Sequence, residues 1–495
     1  MTLSVTNTLT GEQEPFEPRD PDSVLLYYCG LTVSDDAHLG HARSWVHVDV
    51  MHRWLEHLGY DVRHVENFTD VNEKIVAKVG TDELGEDESA VATHYIESVL
   101  ADMRGLNLLR ADVYPRVSEH LPEITSLIAT LLEKGYAYEA NGSVYFDVTQ
   151  FEDYGKLSNQ RVDDMEAQGP DEELSEKRHP QDFALWKADG VSPDAVAEHR
   201  DEPLPDPELA PSGDTWDAPW GEGRPGWHIE CSAMSMTHLD ESIDVHVGGQ
   251  DLVFPHHENE IAQSEAATGE QFAKYWLHVR LLETGGEKMS TSLQNFFTVS
   301  NALAEFGVNP IRMFLVSTAY NRRQTYSEAT LSEAVERWDR LERAYDRAVA
   351  ATDGPDAYAK TVHEEYRETV AGAREAFADA MNDDFNTRRA VTALLDLSGD
   401  LHAYLDARDR YDYVALVETV EAFEDLGGGV LGFAFGDQEA EGEVGLAEEL
   451  VELLLDVREA ERERGNYERA DELRDDLEAL GVEVQDTDDG PVARF

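Results

Sequence analysis

"SVLLYYCG" (residues 23–30), "GHARSWVHVDVMHRWLEHLGY" (40–60) and "DVRHVENFTD" (61–70) follow closely on one another. The first is a short apolar run closed by glycine, which reads as a buried strand. In the second, Trp45, Val46, Val50, Trp54, Leu55 and Leu58 recur at helical spacing, and Gly59 closes the helix. The third reads as another strand. Strand, helix and strand in this order predict a β-α-β unit, hence a parallel sheet with ligands at the carboxyl ends of its strands.

Working outward, a second α/β block is expected over about 225–320. "SIDVHVGGQDLVFPHHENEIAQSEAAT" (242–268) gives strand, glycine turn and helix, and "YWLHVRLLETGGEKMSTS" (275–292) gives strand, turn and loop. Between the blocks lies a long insertion whose stretch 188–213, rich in Pro, Asp and Glu, reads as an acidic surface loop. From about 325 the period becomes helical: Leu331, Val335, Trp338, Leu341, Tyr345 and Val349 share one face. "LGGGV" and "GDQEAEGEVG" (436–445) read as linker, followed by a helical hairpin and a small strand pair. The expected fold is therefore α/β, a Rossmann-type parallel-sheet domain split by an insertion, then a helical bundle and a small C-terminal α+β module. Its expected parts are 1–120, the insertion 121–224, 225–325, the bundle 326–430 and the module 431–495.

Charge reports the solvent. Lys+Arg is 40 and Asp+Glu 103 in 495 residues, so the balance is 40 − 103 = −63. Acids spread along the whole chain would repel one another in dilute buffer. At about 1 M salt the Debye length falls to roughly 3 Å and screens that repulsion. A halophilic cytoplasm is the expectation, ahead of an acidic mimic of nucleic acid, and the charge does not exclude an RNA substrate. The two cysteines make no disulfide framework. Neither a signal pattern nor a long apolar run is present, so a cytoplasmic protein without a membrane contact is expected.

Two loops carry chemistry. "SDDAHLGHAR" (34–43) places His38, Gly40 and His41 at a helix N-terminus, where amide groups and the helix dipole favour phosphate. "EKMSTS" (287–292) offers Lys288, Met289, Ser290 and Thr291 after a Gly-Gly turn, a cation and hydroxyls suited to polyphosphate. No GK[ST] glycine loop occurs, so a P-loop is excluded.

HLGH after the first strand and KMSTS after a late one resemble the two motifs of class I aminoacyl-tRNA synthetases. "YYCGLTVSDDAHLGHAR", "ENFTDVNEKI", "GRPGWHIECSAMS", "DVHVGGQDLVFPHHENEIAQSEA" and "MNDDFNTRRA" narrow the resemblance to the cysteinyl-tRNA synthetase family, over nearly the whole chain. It implies activation of L-cysteine by ATP, used with Mg2+, and transfer to tRNA(Cys), with residues 326–430 binding tRNA and 431–495 lying on the anticodon side. His38 and His41 then resemble the histidines that steady the phosphoryl transition state, and Gly40 leaves room for adenine. Gly248, Gly249 and Asp251 resemble the adenosine-lining stretch, and Lys288 the first lysine of the phosphate-gripping loop. Gly30, Thr69 and Trp227 resemble residues completing the cysteine pocket. The loop departs from the family at Thr291, where a second lysine is usual. A cation from high salt or from another side chain, with Arg322 and Arg323 as possible sources, would have to stand in. A monomer is expected.

"FPHHENE" (254–260) raises a metal. On a helix, His256 and Glu260 share one face, whereas His257 would pair with Ile261. Zinc wants about four ligands from Cys, His, Asp or Glu. Cys29 ends the first strand, and Cys231 ends "GWHIEC", read as another strand, so all can meet at one sheet edge. The resemblance agrees: Cys29, Cys231, His256 and Glu260 match the family's zinc ligands. A small pocket separates cysteine from serine by only about 1–3 kcal/mol, while zinc takes thiolate directly. The alternatives are a cysteine ligase with a small-molecule amine acceptor and a zinc hydrolase. The second leaves HLGH and KMSTS unexplained.

Overall fold

The computed structural model describes residues 2–436 apart from 82–83, 163–164, 166, 169–170, 201–209, 285–286 and 289–296. Beyond 436 it describes 455, 458, 469–470, 473–474, 483–487 and 490–494. The chain divides into two compact units, Met1–Ala434 and Phe435–Phe495.

A four-stranded parallel sheet forms the centre of the first unit, in the order Ala273–Val279, Ile243–Gly249, Ser23–Tyr28, Asp61–Glu66. The expected β-α-β unit is there: strand 23–28, helix Leu39–His57 and strand 61–66. Trp45, Val46, Val50, Trp54 and Leu55 are buried as the spacing required, but Leu58 caps the helix and is 39% exposed. Gly59 follows at φ +96°, a left-handed turn that glycine adopts without strain.

The insertion builds its own sheet, five antiparallel strands in the order Ala137–Ala140, Ser143–Phe146, Phe183–Ala188, Gly221–Pro225, Trp216–Ala218. Helix Leu121–Lys134 precedes it, ending at left-handed Gly135. The stretch read as an acidic loop contains a short helix, Pro193–Glu198, capped by Ser192.

Four helices, Glu328–Thr352, Glu364–Asn382, Thr387–Asp406 and Tyr413–Ala422, make the bundle. In the first, the buried line is Leu331, Ala334, Trp338, Leu341, Ala344 and Ala348. Val335, Tyr345 and Val349 flank it half-buried, because alanine lets the neighbouring helices approach the axis. "LGGGV" is no linker. It lies in the helical turn Phe423–Val430, with Leu426, Gly427 and Val430 buried. Of the C-terminal module, the strand pair Glu483–Thr487 and Gly490–Arg494 is antiparallel, as read. The expected linker 436–445 and helical hairpin lie largely outside the described residues. No helix among the described residues is long and apolar enough to cross a membrane.

Candidate functional site

The carboxyl edge of the parallel sheet gathers the singled-out residues. Cys29 follows the first core strand, its N–H donating to the Val247 carbonyl at 3.0 Å. Cys231 comes from a different element than the sequence suggested. "GWHIEC" is helix, not strand: the strand ends at Pro225, Gly226 caps, and Trp227–His238 is helical. Three apolar residues alternating over five positions, Trp227, Ile229 and Cys231, are too short a pattern to fix the period, and here tertiary packing chose the helix. Residues 253–257 form a wide helical turn with Phe254 extended, and the helix proper runs Glu258–Thr268. His256 and Glu260 meet across this junction at one helical turn's spacing.

Cys29, Cys231, His256 and Glu260 are all buried, their ligand atoms within 4.8 Å of one another. The sulfurs are free thiols 3.7 Å apart. Two sulfurs each about 2.3 Å from a tetrahedral zinc lie roughly 3.8 Å apart. Cys29 Sγ is 3.3 Å from His256 Nε2, and Glu260 Oε1 is 3.0 Å from the same nitrogen. Glu260 Oε1 is fully buried, and its contact with His256 falls short of good hydrogen-bond geometry. A buried acceptor left over among two thiols and an imidazole suits a cation better than it suits a packed core. The charges agree. The hydrogen bond with Cys29, together with burial, pushes the Cys231 thiol well up. Burial opposes ionisation of Glu260, yet His246 and His256 hold its carboxyl below the usual range. The donor set fits zinc.

A shell of histidines stands behind the four. His228 Nδ1 is 2.8 Å from His256 Nδ1, His246 Nε2 3.1 Å from Glu260 Oε2, and His257 Nδ1 2.8 Å from His278 Nε2. Burial keeps His228, His257 and His278 well below the ordinary histidine range, hence neutral. His257, unassigned from sequence, packs its ring where a side chain at Gly248 would go: a Cβ there would meet His257 Cε1 at 2.4 Å. A second potential donor group, His246, His257 and Glu260, shares Glu260 with the first.

The cysteine-pocket residues lie close by. Asn67, which sequence reasoning missed, organises them. Its Oδ1 accepts from Tyr27 OH at 2.9 Å and from Gly30 N–H at 3.0 Å, and its Nδ2 reaches Thr69 Oγ1 at 3.3 Å. Thr69 is buried. Trp227 is 39% exposed and lays its ring 4.2 Å from that of His256. For His246 and His278 the sequence signal was a histidine between apolar residues of a strand, in "DVHVGG" and "YWLHV".

At the helix start, His38 is the cap residue. Its Nδ1 accepts from Gly40 N–H at 3.0 Å and His41 N–H at 3.3 Å, and the two rings stack 3.7 Å apart. Gly40 is required, since a Cβ would sit 2.7 Å from His38 Cε1. Leu39 N–H donates to Phe297 O at 3.1 Å and Val299 N–H to Ala37 O at 2.9 Å. HLGH is thus zipped to the chain emerging from the KMSTS loop. Lys288 lies in the short strand Glu287–Lys288, paired with Leu282–Thr284, while Met289, Ser290 and Thr291 lie outside the described residues. Gly249 caps the turn that carries Asp251. Of the two arginines considered for the missing cation, Arg323 is held by Glu283 at 2.9 Å and Arg322 offers its carbonyl to Arg43.

Residues 15–336 match the family model described as tRNA synthetases class I (C) catalytic domain, 376–436 the DALR domain, and 445–491 the cysteinyl-tRNA ligase anticodon binding domain. The chain is 68% identical over 496 residues to the cysteine–tRNA ligase of Haloarcula marismortui, covering 100% of both. It is 66% identical over 494 residues to that of Halobacterium salinarum, again covering 100% of both. Among solved structures, Mycobacterium tuberculosis methionyl-tRNA synthetase with methionyl-adenylate shares the fold: TM-score 0.61 and 14% identity, over 83% of this chain and 92% of that one.

Proposed function

The chain belongs to the cysteinyl-tRNA synthetase family of class I, and we propose that its buried Cys29–Cys231–His256–Glu260 cluster reads the sulfur of the substrate. The activity is cysteine–tRNA ligation. Cysteine and ATP give cysteinyl-adenylate and pyrophosphate, and the cysteinyl group then passes to the 3′ end of tRNA(Cys) with release of AMP. The observation that carries the proposal is the convergence of both cysteines of the chain, 202 positions apart, on one histidine and one carboxylate.

Zinc bound by these four residues would supply a soft Lewis acid that takes a thiolate and leaves a hydroxyl aside. The chain does the rest. His228 orients His256: with His256 Nε2 facing the cluster, its Nδ1 holds the proton and donates to His228. Trp227 covers the His256 ring, and Gly30 and Thr69, set by Asn67, line the approach for the amino acid's backbone. His38 and His41 act on the phosphates. Each Nδ1 accepts a backbone N–H, so the neutral rings carry their proton on Nε2 as donors for the oxygens on which charge develops. Gly248, Gly249 and Asp251 take the adenosine, and Lys288 takes the phosphates. We place the protein in the cytoplasm, where tRNA and ATP are met.

The matches over residues 376–491 support tRNA over a small amine as acceptor. The test is chelation followed by cysteine-dependent pyrophosphate exchange. Loss of exchange, and its return with zinc, is expected. Unchanged exchange and unchanged preference for cysteine over serine in metal-free protein would end the sulfur-reading role.

A further inference from the structure

"MNDDFN" (381–386) is a motif that the activity leaves unexplained. It joins two bundle helices, and Asp384 sits there at φ +61°, a left-handed conformation that aspartate and asparagine tolerate better than most residues. Its buried carboxylate accepts four hydrogen bonds. Oδ1 takes Thr6 N–H and Tyr320 OH, each at 2.7 Å, and Oδ2 takes Thr6 Oγ1 at 2.6 Å and Asn321 Nδ2 at 2.7 Å. So much bonding is more than a helix junction needs, and half of it goes to one turn, Tyr320–Asn321.

That turn is also gripped from the catalytic side. Arg280 N–H donates to Tyr320 O at 2.8 Å. Arg43, two residues after His41, gives Nη2 to Ala319 O at 3.0 Å and Arg322 O at 2.7 Å. Its other donors go to Arg280 O, Leu315 O and Gln324 Oε1. Immediately after the turn, Gln324–Tyr326 pairs with Leu282–Thr284, on whose other edge lies Glu287–Lys288, with Glu283 opposite Lys288. Arg323, just before the strand that leaves the turn, bonds Glu283 at 2.9 Å. The lysine strand is thus two strand spacings, about 10 Å, from the strand that leaves the turn.

We propose that Asp384 is a positioning residue for adenylation: by holding Tyr320 and Asn321 it fixes the small sheet that carries Lys288, and so links the helical bundle to the grip on ATP. The inference rests on the reading of Lys288 as a phosphate ligand. A loosened turn lets the strand pair shift against the HLGH helix, and misplacing a reacting group costs rate steeply. Cysteine binding is set by Gly30, Thr69 and the residues around Cys29, whose hydrogen bonds to Asn67 do not involve this turn, and is not affected.

The test is Asp384→Asn in the full-length, zinc-loaded protein, with KM for ATP and for cysteine read separately by pyrophosphate exchange. Asparagine keeps the backbone conformation but cannot accept from Asn321. KM for ATP rises about tenfold, the loss of one hydrogen bond to a charged group, while KM for cysteine and zinc content stay put. The double variant D384N/N321D exchanges donor and acceptor and restores KM for ATP. Asp383→Asn, a half-buried neighbour bonded to Arg389 and Gln13 and not to the turn, changes neither constant. If D384N fails to fold, Tyr320→Phe, which removes one bond, gives a smaller rise in the same constant alone. Unchanged KM for ATP, a parallel rise in both constants, or failure of the exchanged pair overturns the proposal. Absence of cysteine-dependent exchange in the parent protein would instead sink the underlying functional reading.

Discussion

Gly30→Ala tests the pocket most sharply. Gly30 needs no unusual φ. What it needs is room. A Cβ at this position would lie 1.8 Å from the Asn67 carbonyl oxygen and 2.9 Å from its carbon, where ordinary contact begins at 3.4 Å. The shortfall is about 1.6 Å, and the obstacle is backbone. That backbone cannot move aside easily: Thr69 N–H is bonded to Leu31 O at 2.9 Å and Val33 N–H to Thr69 O at 3.1 Å. The strain falls on the strand end that holds Cys29, one residue away. Overpacking of this kind costs about 1–3 kcal/mol of stability. A misplacement of about 1 Å can cost on the order of a hundredfold in rate. The sulfur–sulfur distance of 3.7 Å would no longer be kept. Assays in molar salt are the bound zinc per chain, the melting midpoint, and KM for cysteine in pyrophosphate exchange. We expect lower zinc retention and a KM for cysteine raised by roughly ten- to a hundredfold. Gly372→Ala is the control: it lies inside helix Glu364–Asn382 with nothing within 4 Å of an added Cβ, and should stabilise by about 0.5–1 kcal/mol. A G30A protein with full zinc and an unaltered KM for cysteine would refute the claim that this close approach shapes the site.

Three more predictions follow from named contacts. His228→Ala leaves His256 without its Nδ1 partner and should weaken zinc binding by about 10- to 100-fold, read by competition with a chelating dye; equal affinity would remove His228 from the site. Glu66 is buried and accepts from Trp45 Nε1 at 2.9 Å, and burial pushes its carboxyl up to about 8. With the folded value above the unfolded one, its contribution is full below about pH 4.3 and is lost as pH rises through about 8. Glu66→Gln should therefore flatten the fall of the urea midpoint across that window, and an unchanged slope would contradict it. Deleting 437–495 should leave cysteine-dependent exchange intact and lower the charging of tRNA(Cys), because the catalytic elements all lie in the unit Met1–Ala434. Exchange falling as far as charging would count against that separation.

Much of the site was legible because a β-α-β unit aims its loops at one edge. Cys29, His38, Gly40 and His41 follow from the first fifty residues or so, and the His256–Glu260 pair from helical spacing. Cys231 was correctly grouped but placed on the wrong element, because "HIEC" is too short to reveal its period. The histidine shell and Asn67 were missed. Single polar residues inside apolar strands carry no periodic signal, and their partners lie far along the chain, as His257 and His278 or Gly30 and Asn67 do. "LGGGV" was misread because glycine composition suggests freedom, while here Gly427 is buried in a helical turn.

By itself, the sequence determined the β-α-β unit of the catalytic core, the class through its two loop motifs and the family through further stretches, and the acidic balance, since local periodicity and composition are properties of short stretches. Only the tertiary structure decided that the two thiols lie 3.7 Å apart, that four histidines stand behind the cluster they form with His256 and Glu260, and that Asp384 reaches Tyr320 and Asn321 from 64 and 63 residues away. The physical reason is common to all three. Burial makes a polar atom costly unless a partner meets it, and which partner arrives depends on how the sheet, the insertion and the bundle pack together.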